Sequence, residues 1–478
     1  MPNYIFFDTE TNSGRQFADI LSINALFCSE DFKIISELNC EARLRKSRIY
    51  EVDSFLVNGF DPFKVDKHPL SNFELTKKVN DTFISWINKG PVLFCAHNGY
   101  SFDYMLTSQH LFSNLFTWPW IFSKGNAKQI DSLPIAQNYD FYAPNTIATE
   151  LNEKNNKMFK LGSLAKMNGF EITELHTARG DTMGMKLLME MLCKKNPELF
   201  KRSVSFTNKN EVLAKIKDVD YFCHPETFFG RTRQFTSSYL CEHPVFKNYH
   251  LCFDLKHDPE LIFSEKSNSL LKKTLNSAPK KYRILKIGKN PFIQDKSFAT
   301  NFEDEYTTLG HEILKSRADF ILKNREELAN RVSTIISDDI QERDIDQTEL
   351  TPEQMIFSLN PSSSDKTLMN NYVIANSIDD KLRIHKGFKG PLKYLSEMIL
   401  LDQYDIEAFT DSDYKRIRKG ISRKLLSTNK EVFPTIPDGM ARIDQLREEK
   451  KDDKETLEKV ENINKHLELL TEEHEKYL

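Results

Sequence analysis

The stretch FFDTET, residues 6–11, places two acidic residues at the end of an apolar run. In a β-strand the side chains of residues i and i+2 point to the same face, so Asp8 and Glu10 should project together from the strand end. The preceding Phe6 and Phe7 would anchor this strand in a core. Two carboxylates this close repel each other, and the stretch therefore predicts a bound cation.

The composition of the chain sets broad limits on its class. Its 478 residues are enough for two to four domains, and its net charge of −4 neither favours nor excludes a nucleic-acid partner. The cysteines form no C-x-x-C pair, which fits a reducing compartment and argues against structural zinc. No signal-like N-terminus and no segment of roughly 18 apolar residues are found, so we expect a cytoplasmic protein without a membrane partner. We also expect a monomer.

Three regions with different patterning follow one another along the chain. The first 200 residues alternate strand-like runs, such as YIFFDTE and GPVLFCAHN, with helix-like ones, such as GDTMGMKLLMEMLCKK, which is typical of an α/β domain. From about residue 205 to 300, short alternating runs predict a small antiparallel barrel or sheet. After a helical stretch, LNPSSSDKTLMNN predicts a turn-rich break, and the remainder is predicted to be mostly helical.

The apolar stripe of the last segment, from Ala441 onward, is interrupted at Lys450 and Asp453. A coiled coil with a partner needs an unbroken stripe, so the pattern favours helices that pack on their own domain.

Further carboxylates are needed if Asp8 and Glu10 hold a metal ion. The segment CAHNGYSFDYML places Asp103 after a strand and a polar turn, at a strand-to-helix junction where α/β folds build their sites. The segment ELHTARGDTMGMKLLMEML adds His176 and Asp181, with Asp181 at the start of an amphipathic helix. Together these residues predict a site of four carboxylates and one histidine.

Such a set suits hydrolysis of a phosphodiester with two divalent metal ions. Two ions about 3.5–4 Å apart need bridging carboxylates, and hard oxygen ligands favour Mg²⁺ or Mn²⁺ over zinc. A nearby imidazole can deprotonate the attacking water. Each motif alone has an ordinary structural interpretation: D-x-E as a solvated strand end, Asp103 as a turn residue and Asp181 as an N-cap. The order of the motifs along the chain favours the catalytic interpretation.

The motifs resemble those of the DEDDh three-prime-to-five-prime exonucleases. Further segments resemble, in the same order, those of the bacterial exonuclease I group of this family, well in the first two regions and loosely in the C-terminal helices. These segments are RQFADI, AHNGYSFD, TWPW, FKLGSLAKMNGFE, ETFFGRTRQFTSSYLCEHP, LCFDLKHDPELI and ILKIGKNP.

The resemblance implies an α/β RNase H-like exonuclease domain at residues 1–200, an SH3-like β-rich domain with appended helices at 201–352, and a C-terminal helical domain at 353–478. Together these domains would enclose single-stranded DNA. The implied activity is processive release of deoxynucleoside five-prime-monophosphates from the three-prime end, in DNA repair and recombination.

The resemblance also implies a role for each motif residue. Asp8, Glu10, Asp103 and Asp181 would hold two Mg²⁺ ions, for which Mn²⁺ can substitute. The general base would be His176, and Glu10 would also contact the substrate.

An enzyme that acts on single-stranded DNA without sequence preference must contact the DNA backbone and the faces of the bases. In NLFTWPW, resemblance to DNA-contacting family positions favours Phe116 and Trp120 over Trp118 as base contacts. Lys160 matches a position where the family carries a substrate-contacting arginine, and a lysine there would give a less directional contact. The alternative for the aromatic residues is a place in the core, and the alternative for Lys160 is a solvated side chain before a helix.

Two basic clusters lie far from these motifs in the sequence. They are LKKTLNSAPKKYRILKIGK, residues 271–289, and YKRIRKGISRK, residues 414–424. Each could lead the DNA strand inward or receive the acidic tail of single-stranded-DNA-binding protein, the usual partner of the family. The alternative is a solvated charged face.

Two other functions stay open. A DEDDh exoribonuclease would keep the chemistry and act on RNA, but the smaller enzymes of that kind resemble only the first domain. A non-catalytic module that binds single-stranded DNA would be expected to lack a carboxylate or the histidine. In this chain all five motif positions carry the required residue.

Overall fold

The computed structural model of the protein describes residues 2–172, 177–341, 350–429 and 431–478. The chain forms two units. The first consists of Met1–Ala127, Ile172–Lys186 and Thr348–Leu478, and the second of Lys128–Glu171 and Leu187–Gln347. The first unit therefore joins segments from both ends of the chain. The three domains inferred from the resemblance, with boundaries near residues 200 and 352, remain a prediction.

A mixed sheet occupies the N-terminal part of the first unit. Its strands there are β1 (Asn3–Thr11), β2 (Ile20–Cys28), β3 (Ile34–Glu41) and β4 (Val92–Ala96). They lie in the order β3-β2-β1-β4, with β1 antiparallel to β2 and parallel to β4. Phe7 is fully buried, and its ring packs edge to face against those of Phe83 and Phe94. The strand that carries the D-x-E motif is thus anchored in the core as predicted.

Helices make up the rest of the first unit. In chain order they are α1 (Val52–Val57), α2 (Pro62–Asp66), α3 (Asn72–Ile87), α4 (Asp103–Ser113), the start of α7 (Ala178–Lys195), α14 (Ser363–Ile374), α15 (Ile378–His385), α16 (Gly390–Tyr404), α17 (Asp411–Leu425), α18 (Ile436–Glu449) and α19 (Lys454–Glu475). Helix α3 begins with a capping box formed by Ser71 and Glu74, which explains its abrupt start after a loop.

The last two helices pack on the first unit. Ile443 of α18 and Leu467 of α19 are fully buried in one cluster with Val52 of α1. The chain leaves helical structure between Glu449 and Lys454, and the Asp453 side chain accepts the Thr456 N–H to start α19. The prediction that these helices pack on their own domain is therefore confirmed.

The turn-rich break predicted at residues 359–371 is mostly wrong, because α14 covers its second half. Ser362 and Asp365 form a capping box, which starts a helix inside the serine-rich run. Ser362 therefore acts as the N-cap of α14, and only residues 359–362 form the break.

The second unit contains a four-stranded antiparallel sheet in the order β11-β10-β9-β8. The elements from this part of the chain are β5 (Ala127–Asp131), α5 (Ser132–Tyr142), β6 (Glu150–Leu151), β7 (Lys157–Met158), α6 (Leu161–Met167), α8 (Pro197–Ser205), α9 (Lys209–Lys217), β8 (Phe222–Phe228), β9 (Arg231–Glu242), β10 (Tyr249–Asp254), α10 (Pro259–Phe263), α11 (Asn268–Asn276), β11 (Tyr282–Lys286), α12 (Glu305–Lys323) and α13 (Arg325–Gln341). The antiparallel sheet predicted between residues 205 and 300 is present. Within the described ranges, none of the helices has the length and apolar character needed to cross a bilayer.

Candidate active site

The first two carboxylates of the site come from the end of β1. This strand pairs with β4 only up to Phe6, which lies opposite Cys95, whereas its pairing with β2 continues through Asp8 and Glu10. Both carboxylates are therefore held in sheet geometry beyond the last residue of β1 that pairs with β4, and their side chains are partly exposed.

The third carboxylate, Asp103, is the first residue of α4 and is 5% exposed. The turn that leads into this helix is tight at Gly99, where a Cβ atom would lie 2.4 Å from the Cβ of Ala96. The hydroxyl of Thr9 donates a hydrogen bond of 2.7 Å to Oδ1 of Asp103. The residue between the two motif carboxylates of β1 thus fixes the orientation of the third carboxylate.

The fourth carboxylate, Asp181, lies in the first turn of α7. Carboxylate oxygens of Asp8, Glu10 and Asp181 lie within 4.8 Å of one another. Asp103 joins them electrostatically, because its charge raises the pKa values of Asp8 and Glu10. We refer to these four residues as the acidic cluster.

The start of α7 is held against the sheet mainly through Arg179. The Thr182 hydroxyl donates to the backbone oxygen of Ala178 within the helix at 2.6 Å and lies 3.3 Å from that of Asn24 on β2. The Arg179 Nε donates to Oε1 of Glu37 on β3 at 2.8 Å, and the same oxygen accepts a hydrogen bond of 2.9 Å from the Asn24 amide. These contacts position the helical turn that carries Asp181.

Two residues of the acidic cluster, Asp8 and Glu10, have raised pKa values. Burial raises the pKa of Asp8 well above its usual range, and the charges of Asp103, Glu10 and Asp181 raise it further. Burial and the charges of Asp181 and Asp103 raise the pKa of Glu10 to about 8. Every one of these causes disfavours the ionised form, and a divalent cation would reverse that effect.

The donor set of the acidic cluster fits a hard divalent cation. Three carboxylates present oxygen atoms close enough to share an ion, and carboxylate oxygen is the ligand type that Mg²⁺ and Mn²⁺ prefer. No described cysteine or histidine belongs to this group of ligand atoms, so the set does not resemble a structural zinc site.

The predicted general base, His176, lies outside the described residues. Lys160 belongs to the second unit, where it is exposed at the N-cap position of α6. Its contact with substrate remains a prediction.

The aromatic residues of NLFTWPW have very different exposures. Phe116 is 6% exposed and packs in the core of the first unit, so the structure does not favour it as a base contact. Trp118, ranked lower from the sequence, is 51% exposed. Trp120 is partly exposed, and its ring centroid lies 5.5 Å from that of Phe357, which is 71% exposed. Trp118, Trp120 and Phe357 are therefore the rings with faces near the surface.

The two basic clusters are partly neutralised within the chain. On α17, Arg416 pairs with Glu397 at 2.6 Å, and the buried Arg418 pairs with Glu473. In the cluster at residues 271–289, Lys272 pairs with Asp339 at 2.5 Å. These pairs favour the solvated-face interpretation for part of each cluster.

Sequence reasoning missed Thr9, Asn24, Glu37 and Arg179. Thr9 had a local signal, since it is the polar residue inside the D-x-E motif. The other three become neighbours only when β2, β3 and α7 assemble, and no spacing in the chain marks them.

No family model matches the chain. A curated relative, the exodeoxyribonuclease I of Buchnera aphidicola subsp. Schizaphis graminum, is 24% identical over 246 residues. The aligned region is 50% of this chain and 49% of the relative, so the chain matches about half the length of this curated relative.

Solved structures match nearly the whole chain. The exonuclease I of Methylocaldum szegediense has a TM-score of 0.83 at 15% identity, over 98% of this chain and 100% of that one. E. coli exonuclease I in complex with a dA16 oligonucleotide has a TM-score of 0.81 at 16% identity, over 99% and 100% of the two chains. The resemblance to bacterial exonuclease I expected from the motifs is thus confirmed, and the chain has the exonuclease I fold.

Proposed function

We propose that the protein is a three-prime-to-five-prime exonuclease that hydrolyses single-stranded DNA to deoxynucleoside five-prime-monophosphates with two Mg²⁺ ions. The observation that supports this most strongly is the acidic cluster. Asp8, Glu10 and Asp181 converge from a strand end and a helix start, and their oxygen atoms lie within 4.8 Å. Such a set of converging carboxylates, with raised pKa values at Asp8 and Glu10, is typical of a site completed by divalent cations.

The residues of the acidic cluster would hold the ions in this mechanism. Mg²⁺ held by these carboxylates would supply activation of a water nucleophile and neutralisation of charge on the leaving oxygen. Glu10, with a pKa of about 8, is protonated at neutral pH before ions bind, so binding releases its proton. Thr9 keeps one Asp103 oxygen oriented.

The general base in this proposal is His176, which precedes Asp181 by five residues in the sequence. Its imidazole would accept the proton of the attacking water, since the pKa of histidine lies near working pH. Loss of a general base slows a reaction by about 10²–10⁴-fold, so His176→Ala should retain measurable activity. An equally active variant would remove His176 from the mechanism.

Single-stranded DNA is the proposed substrate because exposed aromatic rings suit stacking against unpaired bases. Trp118 and the pair formed by Trp120 and Phe357 offer such rings in the first unit. E. coli exonuclease I, which shares the fold, has been solved with a dA16 oligonucleotide. An RNA substrate is the competing possibility, and oligomers of identical sequence separate the two.

The decisive experiment is digestion of a five-prime-labelled single-stranded DNA oligomer, followed on a sequencing gel. We expect a ladder that shortens from the three-prime end with Mg²⁺, and no ladder with EDTA or with Asp181→Asn. Duplex DNA and RNA should persist. The matched control is Asp31→Asn, which removes an exposed carboxylate in the turn between β2 and β3 and should digest normally.

Other outcomes would change the proposal. Intact DNA that shifts in a native gel under all conditions would identify a binding module without activity. Faster digestion of RNA than of DNA would identify an exoribonuclease. Full activity of Asp181→Asn would contradict the assignment of the acidic cluster.

A further inference from the structure

Strand β2 carries a fully buried asparagine. Its sequence, ILSINALFC, is apolar apart from Ser22 and Asn24, and all of its residues are buried. Asn24 is 0% exposed. Asparagine is depleted in strands, and burial of an amide is unfavourable unless its polar atoms have partners. The partners of Asn24 therefore show what this side chain contributes.

Asn24 lies on the face of the sheet that carries the acidic cluster. Successive side chains of a strand point to opposite faces, and Ile23 and Ala25 belong to the apolar core of the first unit. In the antiparallel pairing of β1 with β2, Asp8 lies directly opposite Asn24. Residues in this relation share one face, with Cβ atoms about 4.5–5.5 Å apart. Asn24 and Asp8 are therefore neighbours.

The amide nitrogen of Asn24 is bound on the side of β3. Its Nδ2 donates to Oε1 of Glu37 at 2.9 Å and to Oδ1 of Asn39 at 3.4 Å. The hydrogen bond from Arg179 lowers the pKa of Glu37, so this carboxylate is ionised and can only accept. The nitrogen of the Asn24 amide must therefore point to β3.

The carbonyl oxygen of the same amide is buried and has no donor among the described residues. Because Oδ1 and Nδ2 point away from each other, Oδ1 is directed away from β3. The neighbour of β2 on that side is β1, with Asp8 opposite Asn24. A buried acceptor without a donor destabilises the folded state, and such atoms are usually completed by water or a ligand.

Asn114 shows what distinguishes the position of Asn24. Its Nδ2 donates to the Thr76 hydroxyl at 2.9 Å, while its Oδ1 is likewise buried without a donor among the described residues. Asn114 follows the last residue of α4, about 16 Å along this helix from Asp103 at its start. The two asparagines share an unpaired oxygen, but Asn24 has it beside carboxylates that suit a hydrated cation.

A hydrated cation in the acidic cluster would supply the missing donor. Mg²⁺ usually keeps several of its water molecules when carboxylates bind it, and those waters donate hydrogen bonds. Acceptors around a metal site orient what the ion holds, and loss of one typically costs about 10–100-fold in metal affinity.

We infer that Asn24 is a positioning residue of the acidic cluster, whose Oδ1 accepts a hydrogen bond from water on the bound cation while its Nδ2 holds Glu37. This inference rests on the proposed function, because it requires a divalent ion in the cluster. It extends the site from the four motif carboxylates to β2. It also connects the ion to α7, since Glu37 in turn binds Arg179.

The test measures Mn²⁺ affinity of the full chain by electron paramagnetic resonance of the free ion. Asn24→Leu, an apolar side chain of similar size, should weaken binding by about 10–100-fold. In EDTA this variant should melt no lower than the wild type, because it removes an unpaired acceptor. At equal Mn²⁺ concentration its melting temperature should rise less. Asn24→Ala needs no additional space and should lose affinity to the same degree.

Glu37→Ala separates the two ends of the Asn24 amide. It removes the partner of Nδ2 and keeps Oδ1, so it should weaken Mn²⁺ binding less than Asn24→Leu does. The double variant Asn24→Leu/Glu37→Ala should bind more weakly than either single variant, because the two residues act through different atoms. If the double variant binds no more weakly than Glu37→Ala, Asn24 only holds Glu37 and the inference is overturned.

Asn114→Leu is the matched control, because it removes a buried asparagine with the same unpaired oxygen at the far end of α4. Per folded molecule it should bind Mn²⁺ as the wild type does. An equal loss of affinity in Asn114→Leu and Asn24→Leu would show that loss of any buried amide has this effect, and would overturn the inference.

Digestion of a single-stranded DNA oligomer by the wild-type protein distinguishes the possible failures. If the wild type binds Mn²⁺ and digests DNA, but both Asn24 variants bind Mn²⁺ within twofold of Asn114→Leu, the inference fails and the proposed function stands. If Mn²⁺ binding depends on Asn24 as expected but no DNA is digested, the role of Asn24 stands and the proposed function fails. If the wild type neither binds Mn²⁺ nor digests DNA, both fail.

Discussion

The acidic cluster and the surroundings of Asp19 lie in the same unit and have opposite charge balances. In the acidic cluster, burial and neighbouring carboxylates all raise the pKa of Glu10, to about 8. Burial would also raise the pKa of Asp19, which is 2% exposed, but Arg45 and the other groups that face it lower the value to about 2. Burial alone therefore does not decide how a carboxylate titrates.

The partners of Asp19 supply the difference. Oδ1 of Asp19 lies 3.4 Å from Nε of Arg45 and 3.6 Å from Nε2 of His110. Burial lowers the pKa of His110, and the Ile20 N–H donates to its Nε2, so the imidazole is neutral and Arg45 carries the compensating charge. The Asp19 group therefore contains its own cation, whereas the acidic cluster is suited to an ion from solution.

The largest expected effect is loss of activity when the acidic cluster loses one charge. Asp8→Asn should reduce the rate of digestion by about 10⁴-fold or more, since residues that act as a unit fail together. The melting temperature in EDTA should not fall, because burial and the neighbouring carboxylates disfavour a charge at this position and the amide carries none. Gel-resolved digestion and thermal melting measure the two quantities, and Asp31→Asn is again the control. Substantial activity of Asp8→Asn would mean that this carboxylate does not hold a metal ion.

The second prediction concerns Asp19, where we expect a loss of stability without a loss of activity. Asp19→Asn leaves Arg45 buried without its counter-charge, which should lower the free energy of unfolding by about 3–5 kcal/mol. Digestion per folded molecule should remain within a few fold of the wild-type rate. The control is Asp53→Asn, which breaks a 2.8 Å pair with Arg442 at the surface and should cost about 1 kcal/mol or less. Urea unfolding of the wild type, Asp19→Asn and Asp53→Asn measures the free energy of unfolding of each protein. Equal values would contradict the assigned role of Asp19.

The two carboxylate groups also differ in how far the sequence could predict them. The four carboxylates of the acidic cluster can be named from the sequence, because D-x-E at a strand end and acids at two helix starts each have a local pattern, while their binding of metal ions stays a prediction. Asp19, Arg45 and His110 come from three separate segments, and no spacing links them. The sequence also does not predict which aromatic side chains are exposed. Phe116 and Trp118 lie in one aromatic run, but packing against α3 and the sheet buries only Phe116.

The third prediction uses pH to separate the groups. Between about pH 5 and 8 the folded protein holds a proton on Glu10 that the unfolded chain has lost, so without metal the free energy of unfolding should fall as pH rises. The slope can reach about 1.4 kcal/mol per pH unit. Asp19 contributes nothing to this slope, because its stabilising effect is lost only as pH falls below about 4 towards 2.

Thermal melting in EDTA across this pH range measures the slope. Saturating Mg²⁺ should raise the melting temperature most at high pH and remove most of the slope, because it binds the ionised cluster. Glu10→Gln should reduce the slope in EDTA, and Asp31→Asn should not. A flat profile for the wild type in EDTA would show that Glu10 does not titrate in this range.

The smallest expected effect comes from the contacts that place Asp181 in the acidic cluster. Arg179 is half exposed, so its 2.8 Å pair with Glu37 adds little to stability, but it fixes the first turn of α7. Arg179→Ala should weaken Mn²⁺ binding, followed by electron paramagnetic resonance of the free ion, and lower activity by about tenfold or less, equivalent to about 1.4 kcal/mol. Thr182 is fully buried beside Asn24 of β2 in the variant as well, and this packing limits the loss. Arg179→Lys should restore part of the affinity, and Arg383→Ala, which removes an exposed pair with Asp380, should change neither quantity. Unchanged Mn²⁺ affinity in Arg179→Ala would show that Asp181 is placed by the helix alone.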